Sequence, residues 1–405
     1  METFCNIGVI AQKIQPNQDG PANLTDRNAA EAIRFHRTLP SYQPTKLVSL
    51  SGLATKLGVK GIYVKNEATR FGLKAFKGLG GTYAMFRILC VKLGLNPQQT
   101  SFQDFQKADI KSKVAEITFV TATDGNHGKG VSWAAGLFGC QVYVFMPAGS
   151  SPEREKAISS VGPAIVCITD KNYDETVAHA KKLSEKNDWV LIQDTAWDGY
   201  EQIPLWIIQG YLTMATETVD QFKEIAVEPT HVFLQAGVGA MAGGVCGYLM
   251  NHYKNKRPVI SIVEPEAAAC IFLSAQKADG KAHSVIGNPH TIMAGLNCGT
   301  PCKITWPILR DFASAYFSCP DYVAAHGMRT YAKPIATDQA IIAGESGAPT
   351  MGLIRLLLEE VGMKKVKTML GLNKESVILL FNTEGDTDPV NYKNVVENDL
   401  YQISK

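Results

Sequence analysis

Residues 231–253 read HVFLQAGVGAMAGGVCGYLMNHY. The short apolar run HVFLQAG is typical of a buried β-strand, and the glycine-rich turn after it leads into a longer apolar run typical of a helix. Glycines at such a turn let the backbone lie close to a ligand at the carboxyl edge of a sheet, where doubly wound folds bind small molecules. The stretch therefore predicts one strand–turn–helix unit of an α/β protein.

The same alternation of short β-branched runs and longer amphipathic runs extends along the whole chain. The other strand candidates are GIYVKNE, ITFVTATDG, CQVYVFMPAG, AIVCITD, WVLIQD, VISIVEP and SVILLFNTEG, and two further glycine-rich helix candidates are GLGGTYAMFRILCVKLG and GNHGKGVSWAAGLFG. This alternation favours an α/β fold with mainly parallel sheets. Because the unit from about Ile117 to Asp194 has its own β-α-β rhythm, we expect two doubly wound domains. A smaller domain, 89–210, is predicted to be inserted in a larger one formed by 1–88 and 211–405.

Composition limits the classes of partner. The 405 residues carry 40 basic and 38 acidic side chains, a formal net charge of +2, and 45% of them are hydrophobic. This balance gives no electrostatic footprint for nucleic acid or an anionic membrane. The N-terminus lacks the basic and apolar segments of a signal peptide, and no apolar stretch is long enough to span a bilayer. We therefore expect a cytoplasmic protein with a small-molecule partner and with neither nucleic acid nor membrane as a partner.

The nine cysteines are an odd number in a long chain, which argues against a disulfide framework. Cys298 and Cys302 are four residues apart, but no histidine or second cysteine pair flanks them at zinc-site spacing. We therefore predict structural thiols and no metal site. The sequence leaves open whether Cys270 and Cys298 pair.

Residues 64–81 read VKNEATRFGLKAFKGLGG, with Lys77 between Phe76 and the glycine-rich start of a helix candidate. Apolar neighbours at this position would shield the Lys77 amine, lower its pKa and favour imine formation. Most lysines are solvated surface charges, so the segment taken alone favours that simpler interpretation.

Residues 121–130 read TATDGNHGKG and follow the strand candidate ITFV. Asp124, Asn126 and His127 are thus expected at a sheet edge near the start of a helix. Exposed amides there can bind an anion, and Asn126 can donate from its side chain. A turn without any ligand is an equally good interpretation, and His127 by itself is expected to make a local hydrogen bond rather than to act as a base.

Residues 235–244 read QAGVGAMAGG and again stand between a strand candidate and a helix candidate. Their amides can converge on a phosphate, to which the dipole of the following helix adds a partial positive charge. The glycine spacing departs from the dinucleotide-binding pattern, and no acidic residue clearly ends the next strand at ribose-binding distance. Taken alone, the loop is weak support for either ligand.

The strand candidate SVILLFNTEG ends at Asn382, Thr383, Glu384 and Gly385. The hydroxyl of Thr383 can hydrogen-bond an unprotonated ring nitrogen at this position. A helix N-cap is an equally good interpretation of the same residue.

Together, the four segments resemble the fold-type II, tryptophan synthase β-like family of pyridoxal-phosphate enzymes. The lysine motif of that family is a strand with K-x-E, followed by S-F-K and a helix. Here Lys65, Glu67, Phe76 and Lys77 match it, whereas Ala75 replaces the usual serine.

The other three motifs of the family follow in the same order. Its S/T-x-G-N loop matches residues 123–126, its glycine-rich phosphate loop matches 237–241, and its late Ser/Thr matches Thr383. The resemblance covers nearly the whole chain.

The resemblance implies pyridoxal 5′-phosphate as the cofactor and a homodimer as the assembly. Lys77 would hold the cofactor as an imine and act as a base once the substrate displaces it. Asn126 would hydrogen-bond the phenolic oxygen, and Thr383 would face the pyridine nitrogen, whose unprotonated state favours rapid β-elimination. The phosphate would be held by the amides of Gly237, Val238, Gly239, Ala240 and Met241.

Within this family, the signatures RFGLKAFK, TATDGNHG, QDTAW, QAGVGAMAGG, GESGA and TEGDTD are similar to those of ammonia-lyases acting on 2,3-diaminopropionate. That resemblance implies α,β-elimination of the D and L substrates to pyruvate and ammonia. Asp124 replaces the small residue of many relatives, and would attract the second ammonium or take the Cα proton opposite Lys77. Asp194 would be the second carboxylate for a dicationic substrate, and Glu345 would support the cofactor ring.

Three alternatives stay open. A serine or threonine dehydratase acts on substrates without a second ammonium, so the Asp124 and Asp194 pair is the discriminating feature. A nucleotide-dependent oxidoreductase built on QAGVGAMAGG would need the missing ribose-binding acid. A cofactor binder without activity is disfavoured because Lys77, Asn126 and both carboxylates are retained.

Overall fold

The computed structural model describes residues 2–4, 6–14, 18–123, 125–287 and 289–402. The chain divides into two compact units: unit 1 comprises Met1–Asp26, Pro44–Ala75 and Met214–Lys405, and unit 2 comprises Arg27–Gln43 and Phe76–Thr213. The segment 89–210 lies within unit 2, which also holds residues 27–43 and 76–88. The predicted boundaries of an inserted domain stay a prediction.

Twelve strands lie in the described residues. They are β1 (Glu2–Phe4), β2 (Ile7–Ala11), β3 (Leu47–Ser49), β4 (Gly61–Asn66), β5 (Thr118–Ala122), β6 (Gln141–Met146), β7 (Ile165–Ile168), β8 (Val190–Leu191), β9 (His231–Gln235), β10 (Val259–Pro265), β11 (Ala315–Cys319) and β12 (Val377–Asn382). Eight form the sheet of unit 1 in the order β1-β2-β11-β10-β9-β12-β4-β3, and four form the sheet of unit 2 in the order β7-β6-β5-β8.

Parallel pairing dominates both sheets. In unit 1 the strands from β11 through β10, β9 and β12 to β4 are parallel, whereas the β1, β2 and β3 edges pair antiparallel. In unit 2 all three described pairings are parallel. Strands β9 and β12 are buried along their whole length, as expected for a parallel sheet covered on both faces. The predicted α/β fold with mainly parallel sheets is confirmed.

Fifteen α-helices connect and cover these strands in the described residues. They are α1 (Asp26–His36), α2 (Ser51–Leu57), α3 (Gly78–Leu93), α4 (Ala108–Ala115), α5 (Asn126–Phe138), α6 (Pro152–Ser159), α7 (Tyr173–Asn187), α8 (Gln202–Glu224), α9 (Ala240–Tyr253), α10 (Cys270–Lys277), α11 (Trp306–Phe312), α12 (Asp321–Ala332), α13 (Pro349–Glu359), α14 (Lys364–Met369) and α15 (Pro389–Val396). None within the described ranges has both the length and the apolar character that a membrane span requires.

Each unit has its own apolar core. In unit 1 the core includes Ile62, Phe233 and Leu380 from the sheet. In unit 2 it includes Val120 and Leu191 from the sheet. The carboxyl ends of the parallel strands are therefore held by rigid, buried segments, which is what positions the loops that follow them.

All eight strand candidates of the sequence are strands, and the three glycine-rich helix candidates are α3, α5 and α9. The sequence missed β1, β2, β3 and β11. Each of these has only three to five residues. Their pairing depends on partners far away in the sequence, which a local pattern does not contain.

Candidate active site

Lys77 immediately precedes α3 in unit 2 and faces a carboxylate. Its Nζ donates a hydrogen bond to Asp194 Oδ2 over 2.6 Å. The exposed fraction of the side chain is 19% for Lys77 and 12% for Asp194. The pair is therefore shielded without being sealed from solvent.

The loop that carries Asp194 follows β8 and is anchored by Gln193. The Oε1 of Gln193 accepts hydrogen bonds from Thr121 Oγ1 and Ala122 N, both over 3.1 Å, and its Nε2 donates to Ala122 O over 2.9 Å. The Gln193 amide in turn donates to the hydroxyl of Tyr200 over 2.8 Å. These bonds hold Asp194 beside the end of β5.

His127 also faces Asp194. Its Nε2 is 2.9 Å from Ile192 O and therefore carries the proton donated to that carbonyl, while its Nδ1 lies 3.8 Å from Asp194 Oδ2. Burial by itself raises the pKa of Asp194, but the electrostatic effects of the neighbouring His127 and Lys77 outweigh it and hold this pKa well below its usual range. Asp194 is thus an anion at neutral pH. The sequence suggested a local hydrogen bond for His127 and missed its proximity to Asp194.

The loop after β5 leads into α5. Thr123 Oγ1 accepts hydrogen bonds from Gly125 N over 3.0 Å and from Gly128 N over 3.2 Å, which fixes the turn. Asn126 is the first residue of α5 and is partly exposed. Asp124 lies outside the described residues, so its role stays a prediction.

A glycine lets α5 approach the residue that carries the reactive amine. A Cβ at Gly130 would lie 3.0 Å from the carbonyl carbon and oxygen of Lys77 and from Gly78 N. Any larger side chain at position 130 would therefore push α5 away from the start of α3. This close approach fixes the spacing of the two helix N-termini to which Lys77 and Asn126 belong.

In unit 1, residues 237–241 connect β9 to α9. Gly239 has a φ of 87°, in the left-handed region that favours glycine. Gly243 N donates to Gly239 O over 2.8 Å and closes the first turn, so helix geometry leaves the preceding amides without intrahelical acceptors. Cys302 N donates to Val238 O over 2.7 Å and fixes the loop from the other side. Such a helix N-terminus suits an anion such as a phosphate.

Thr383 follows β12 in unit 1 and is buried. Its Oγ1 accepts a hydrogen bond from Gln235 Nε2 over 3.0 Å and donates one to Ser346 O over 3.2 Å. The sequence indicated Thr383 but not Gln235 or Ser346. Gln235 stands 148 positions earlier in the sequence, and only the pairing of β12 with β9 brings the two strands together.

Two buried carboxyl groups, Glu345 and Glu384, lie next to Ser346, whose carbonyl accepts the hydrogen bond of Thr383. Ser346 N donates to Glu384 Oε1 over 3.0 Å, and Asn391 Nδ2 donates to Glu345 Oε1. Burial, and then the negative charge of Glu384, raise the pKa of Glu345 to about 7. Perturbed acids of this kind concentrate at functional sites. The predicted supporting role of Glu345 stays a prediction.

Lys65 and Glu67 of the lysine motif belong to a buried ion cluster, which we define as Lys65, Glu67, Arg70 and Glu217. Glu217 Oε2 is 2.6 Å from Lys65 Nζ and 2.7 Å from Arg70 Nη2, and Arg70 Nε is 2.8 Å from Glu67 Oε2. The sequence indicated the K-x-E pattern but not Glu217, which is 152 positions from Lys65. The cluster ties α8 to β4 and to the turn after it.

The cysteines of the described residues are thiols, and no disulfide joins any of these eight. Cys270 Sγ lies 3.6 Å from Gly237 O, beside the glycine-rich loop. Burial raises the pKa of the Cys270 thiol well above its ordinary value. Cys270 is therefore a protonated thiol at neutral pH.

These groups define a class of protein. Parallel α/β sheets carry, in unit 2, a half-shielded lysine beside an ionised carboxylate and, in unit 1, a glycine-rich helix N-terminus and a buried hydroxyl. An amine for an aldehyde, amides for a phosphate and a neutral hydroxyl for a pyridine nitrogen are the groups that pyridoxal phosphate requires. The donor set therefore fits this cofactor.

The chain belongs to the pyridoxal-phosphate dependent enzyme family, whose profile matches residues 38–370. It is 46% identical over 374 residues to the diaminopropionate ammonia-lyase of Escherichia coli (strain K12), a match that covers 92% of each chain. The crystal structure of the Escherichia coli enzyme in complex with D-serine superposes with a TM-score of 0.92, at 42% identity and over 100% of both chains.

A second crystal structure of the Escherichia coli enzyme, in complex with an aminoacrylate-PLP azomethine reaction intermediate, superposes with a TM-score of 0.90, at 42% identity and over 100% of both chains. The predicted fold class and the predicted cofactor, pyridoxal phosphate, are therefore confirmed.

Proposed function

We propose that this chain catalyses the α,β-elimination of 2,3-diaminopropionate. The substrate and one water give pyruvate and two ammonia molecules, so the carbon, nitrogen and oxygen atoms balance. The observation that carries the proposal is the 2.6 Å contact between Lys77 Nζ and Asp194 Oδ2. It places an amine able to hold an aldehyde next to an anion able to bind a substrate ammonium.

Pyridoxal phosphate, when bound, supplies the aldehyde and the electron sink for removal of the Cα proton. In unit 2, Lys77 provides the amine that binds the aldehyde and, when free, accepts the Cα proton at Nζ. Asn126 orients the phenolic oxygen from its side-chain amide.

In unit 1, the amides of residues 237–241 bind the phosphate and Thr383 hydrogen-bonds the pyridine nitrogen. Glu345 supports the ring from its buried position. These assignments rest on the motif matches and on the fit of the donor set to the cofactor.

Asp194 is the residue that selects a diamino acid. Because its pKa is held well below the usual range, it carries a full negative charge at neutral pH. A β-ammonium forms an ion pair with this carboxylate, whereas the hydroxyl of serine or threonine is an uncharged donor and gains no attraction between opposite charges. This favours diaminopropionate over the alternative, a serine or threonine dehydratase.

We propose that Asp124 and Lys77 act from opposite faces of the substrate, which allows both enantiomers to react. Asp124→Asn removes the carboxylate base and retains the size of the side chain. We expect it to lower turnover of the D substrate far more than turnover of the L substrate. Equal losses on the two enantiomers would refute the two-face scheme.

The test of the proposed function is pyruvate release from D- and L-2,3-diaminopropionate beside serine and threonine. We expect fast release from both diaminopropionate enantiomers and much slower release from the hydroxy amino acids. Reduction with borohydride followed by mass spectrometry should place a pyridoxyl group on Lys77. Preference for serine or threonine would favour the dehydratase, and an adduct at another lysine would overturn the assignment of Lys77.

We also propose a homodimeric assembly, on the same resemblance, and a cytoplasmic location. Light scattering of the purified chain measures the first directly. A monomer that retains full activity would contradict it.

A further inference from the structure

Gln235 is the last residue of β9 and is buried, with 1% of its surface exposed. Its side chain ends at a point where three acceptors converge. Nε2 lies 2.8 Å from Phe381 O, 3.1 Å from Ser346 O and 3.0 Å from Thr383 Oγ1. The site of this convergence is the buried hydroxyl that follows β12.

The two backbone carbonyls fix which end of the Gln235 amide faces Thr383. A carbonyl oxygen only accepts hydrogen bonds, so the nitrogen must point toward Phe381 O and Ser346 O. The opposite orientation would place Oε1 of Gln235 against two other oxygens. Thr383 Oγ1 therefore meets an N–H donor and not an acceptor.

The oxygen end of Gln235 supports the same conclusion. Within the described residues Gln235 Oε1 is buried and has no hydrogen-bond partner. A buried carbonyl without a donor is unfavourable, because it has lost its hydrogen bonds to water. An amide kept in such a place is explained by what its nitrogen does and not by its oxygen.

The hydroxyl of Thr383 has one proton to give. When Gln235 Nε2 donates to Oγ1, the Thr383 proton is directed away from Gln235, either to Ser346 O at 3.2 Å or to a ring nitrogen. The two N–H hydrogens of Gln235 Nε2 are shared among three acceptors. Ser346 O can therefore still accept a hydrogen bond from Gln235 when the Thr383 proton turns to the ring nitrogen. The arrangement therefore leaves the Thr383 proton available to an unprotonated ring nitrogen.

We infer that Gln235 is a positioning residue that, by donating to Thr383 Oγ1 and to Ser346 O, directs the Thr383 proton toward the pyridine nitrogen of the cofactor and thereby favours its unprotonated state. The inference rests on the proposed function, because that proposal places Thr383 at the ring nitrogen. Gln235 acts through Thr383. It sets the polarity of a hydrogen bond and supplies no proton itself.

Replacement of Gln235 by glutamate should reverse that polarity. A carboxyl group at the same place accepts the Thr383 proton, so Oγ1 presents a lone pair to the ring and favours a protonated nitrogen. We expect the nitrogen NMR signal of an isotopically labelled pyridine ring to move from the unprotonated to the protonated range in Gln235→Glu. The exposed Gln339→Glu is the matched control, which should leave the signal in place.

A second variant covers the case in which a buried glutamate prevents folding. Gln235→Met keeps the volume and removes the donor, so the Thr383 proton can remain on Ser346 O. We expect the cofactor dissociation constant to rise about tenfold, the loss of one hydrogen bond. We also expect the ring nitrogen signal to become pH-dependent, because no hydrogen bond then holds the ring in one protonation state.

Combining variants separates positioning from a general loss of structure. With Thr383→Val as the background, Gln235→Glu should no longer change the ring nitrogen signal, since the hydroxyl that relays the effect is gone. An unchanged signal in Gln235→Glu, a protonated ring in the unsubstituted chain, or a full effect without the hydroxyl would each overturn the inference. These outcomes differ from failure of the proposed function, in which the unsubstituted chain would hold no cofactor on Lys77.

Discussion

Two lysine–carboxylate pairs of the molecule have the same length and opposite surroundings. Lys65 and Lys77 each place Nζ 2.6 Å from a carboxylate oxygen, of Glu217 and of Asp194 respectively. The Lys65 side chain has no exposed surface, whereas 19% of the Lys77 side chain is exposed. The contact distance therefore does not distinguish a structural pair from a reactive one, and the remaining neighbours do.

The neighbours of Lys65 saturate it. Its ammonium donates to Thr45 O over 2.7 Å and to Gln221 Oε1 over 3.1 Å as well as to Glu217. Arg70 shares the same carboxylate. Burial by itself raises the pKa of Glu217, but Arg70 and Lys65 outweigh it and lower this pKa to about 2. Two cations and two anions balance in the buried ion cluster, so no group there is available for a ligand.

The largest expected effect separates the two lysines by activity. Lys77→Met should abolish the borohydride-stable adduct and lower pyruvate release by about 10⁴-fold or more, because the amine that binds the aldehyde and accepts the proton is lost. Lys74→Met, whose lysine is 47% exposed and lies three positions away, is the matched control and should remain active. Substantial turnover by Lys77→Met would remove the basis for calling this pair reactive.

Stability should distinguish the same two lysines in the opposite order, because replacing Lys65 should lower the free energy of unfolding more than replacing Lys77. Lys65→Met leaves Glu217 buried with one of its cations missing, and we expect it to lower the free energy of unfolding by about 3–5 kcal/mol. Lys77→Met should lower it by clearly less, since the Lys77 and Asp194 side chains keep 19% and 12% of their surface exposed to solvent. Urea unfolding of the two variants side by side measures both values. Equal losses would mean that exposure does not distinguish the pairs.

The sequence indicated those candidate-site groups that stand in contiguous motifs, but not which groups lie beside them. Lys77, Asn126, residues 237–241 and Thr383 stand in local patterns whose strand and helix context the sequence also indicates. Their partners lie far away, as Asp194 does at 117 positions from Lys77. Such neighbours are created by the order of strands in a sheet; for example, β12 lies between β9 and β4. A local sequence pattern contains no information on strand order.

Replacing the carboxylate of Asp194 should have a smaller effect on activity than replacing Lys77. Asp194→Asn removes the charge while leaving the shape, and we expect kcat/KM for 2,3-diaminopropionate to fall roughly 10- to 100-fold, the loss of a charged hydrogen bond. Serine turnover should change by much less, because serine offers no second ammonium. Equal losses on both substrates would assign Asp194 to the orientation of Lys77 instead of to substrate selection.

Buried carboxyl groups differ as the lysines do, according to whether a cation accompanies them. Glu217 has Lys65 and Arg70 as partners, whereas burial, and then the negative charge of Glu384, raise the pKa of Glu345 to about 7. The pKa of Glu345 is thus higher folded than unfolded. Its contribution to stability is fully present below the unfolded pKa of about 4.3 and is lost as the pH rises through about 7.

The pH dependence of stability that Glu345 causes gives the smallest expected effect. Glu345→Gln keeps the oxygen that accepts from Asn391 and cannot ionise, so it should stabilise the fold relative to the unsubstituted chain at pH 8 by about 1–2 kcal/mol and by much less at pH 5. Thermal unfolding at the two pH values measures the difference, with the exposed Glu375→Gln as the control. A gain that is the same at both pH values would show that repulsion within the buried acid pair is not its source. The stabilisation would then have to come from packing, and the carboxyl pair would be as fully compensated as the buried ion cluster.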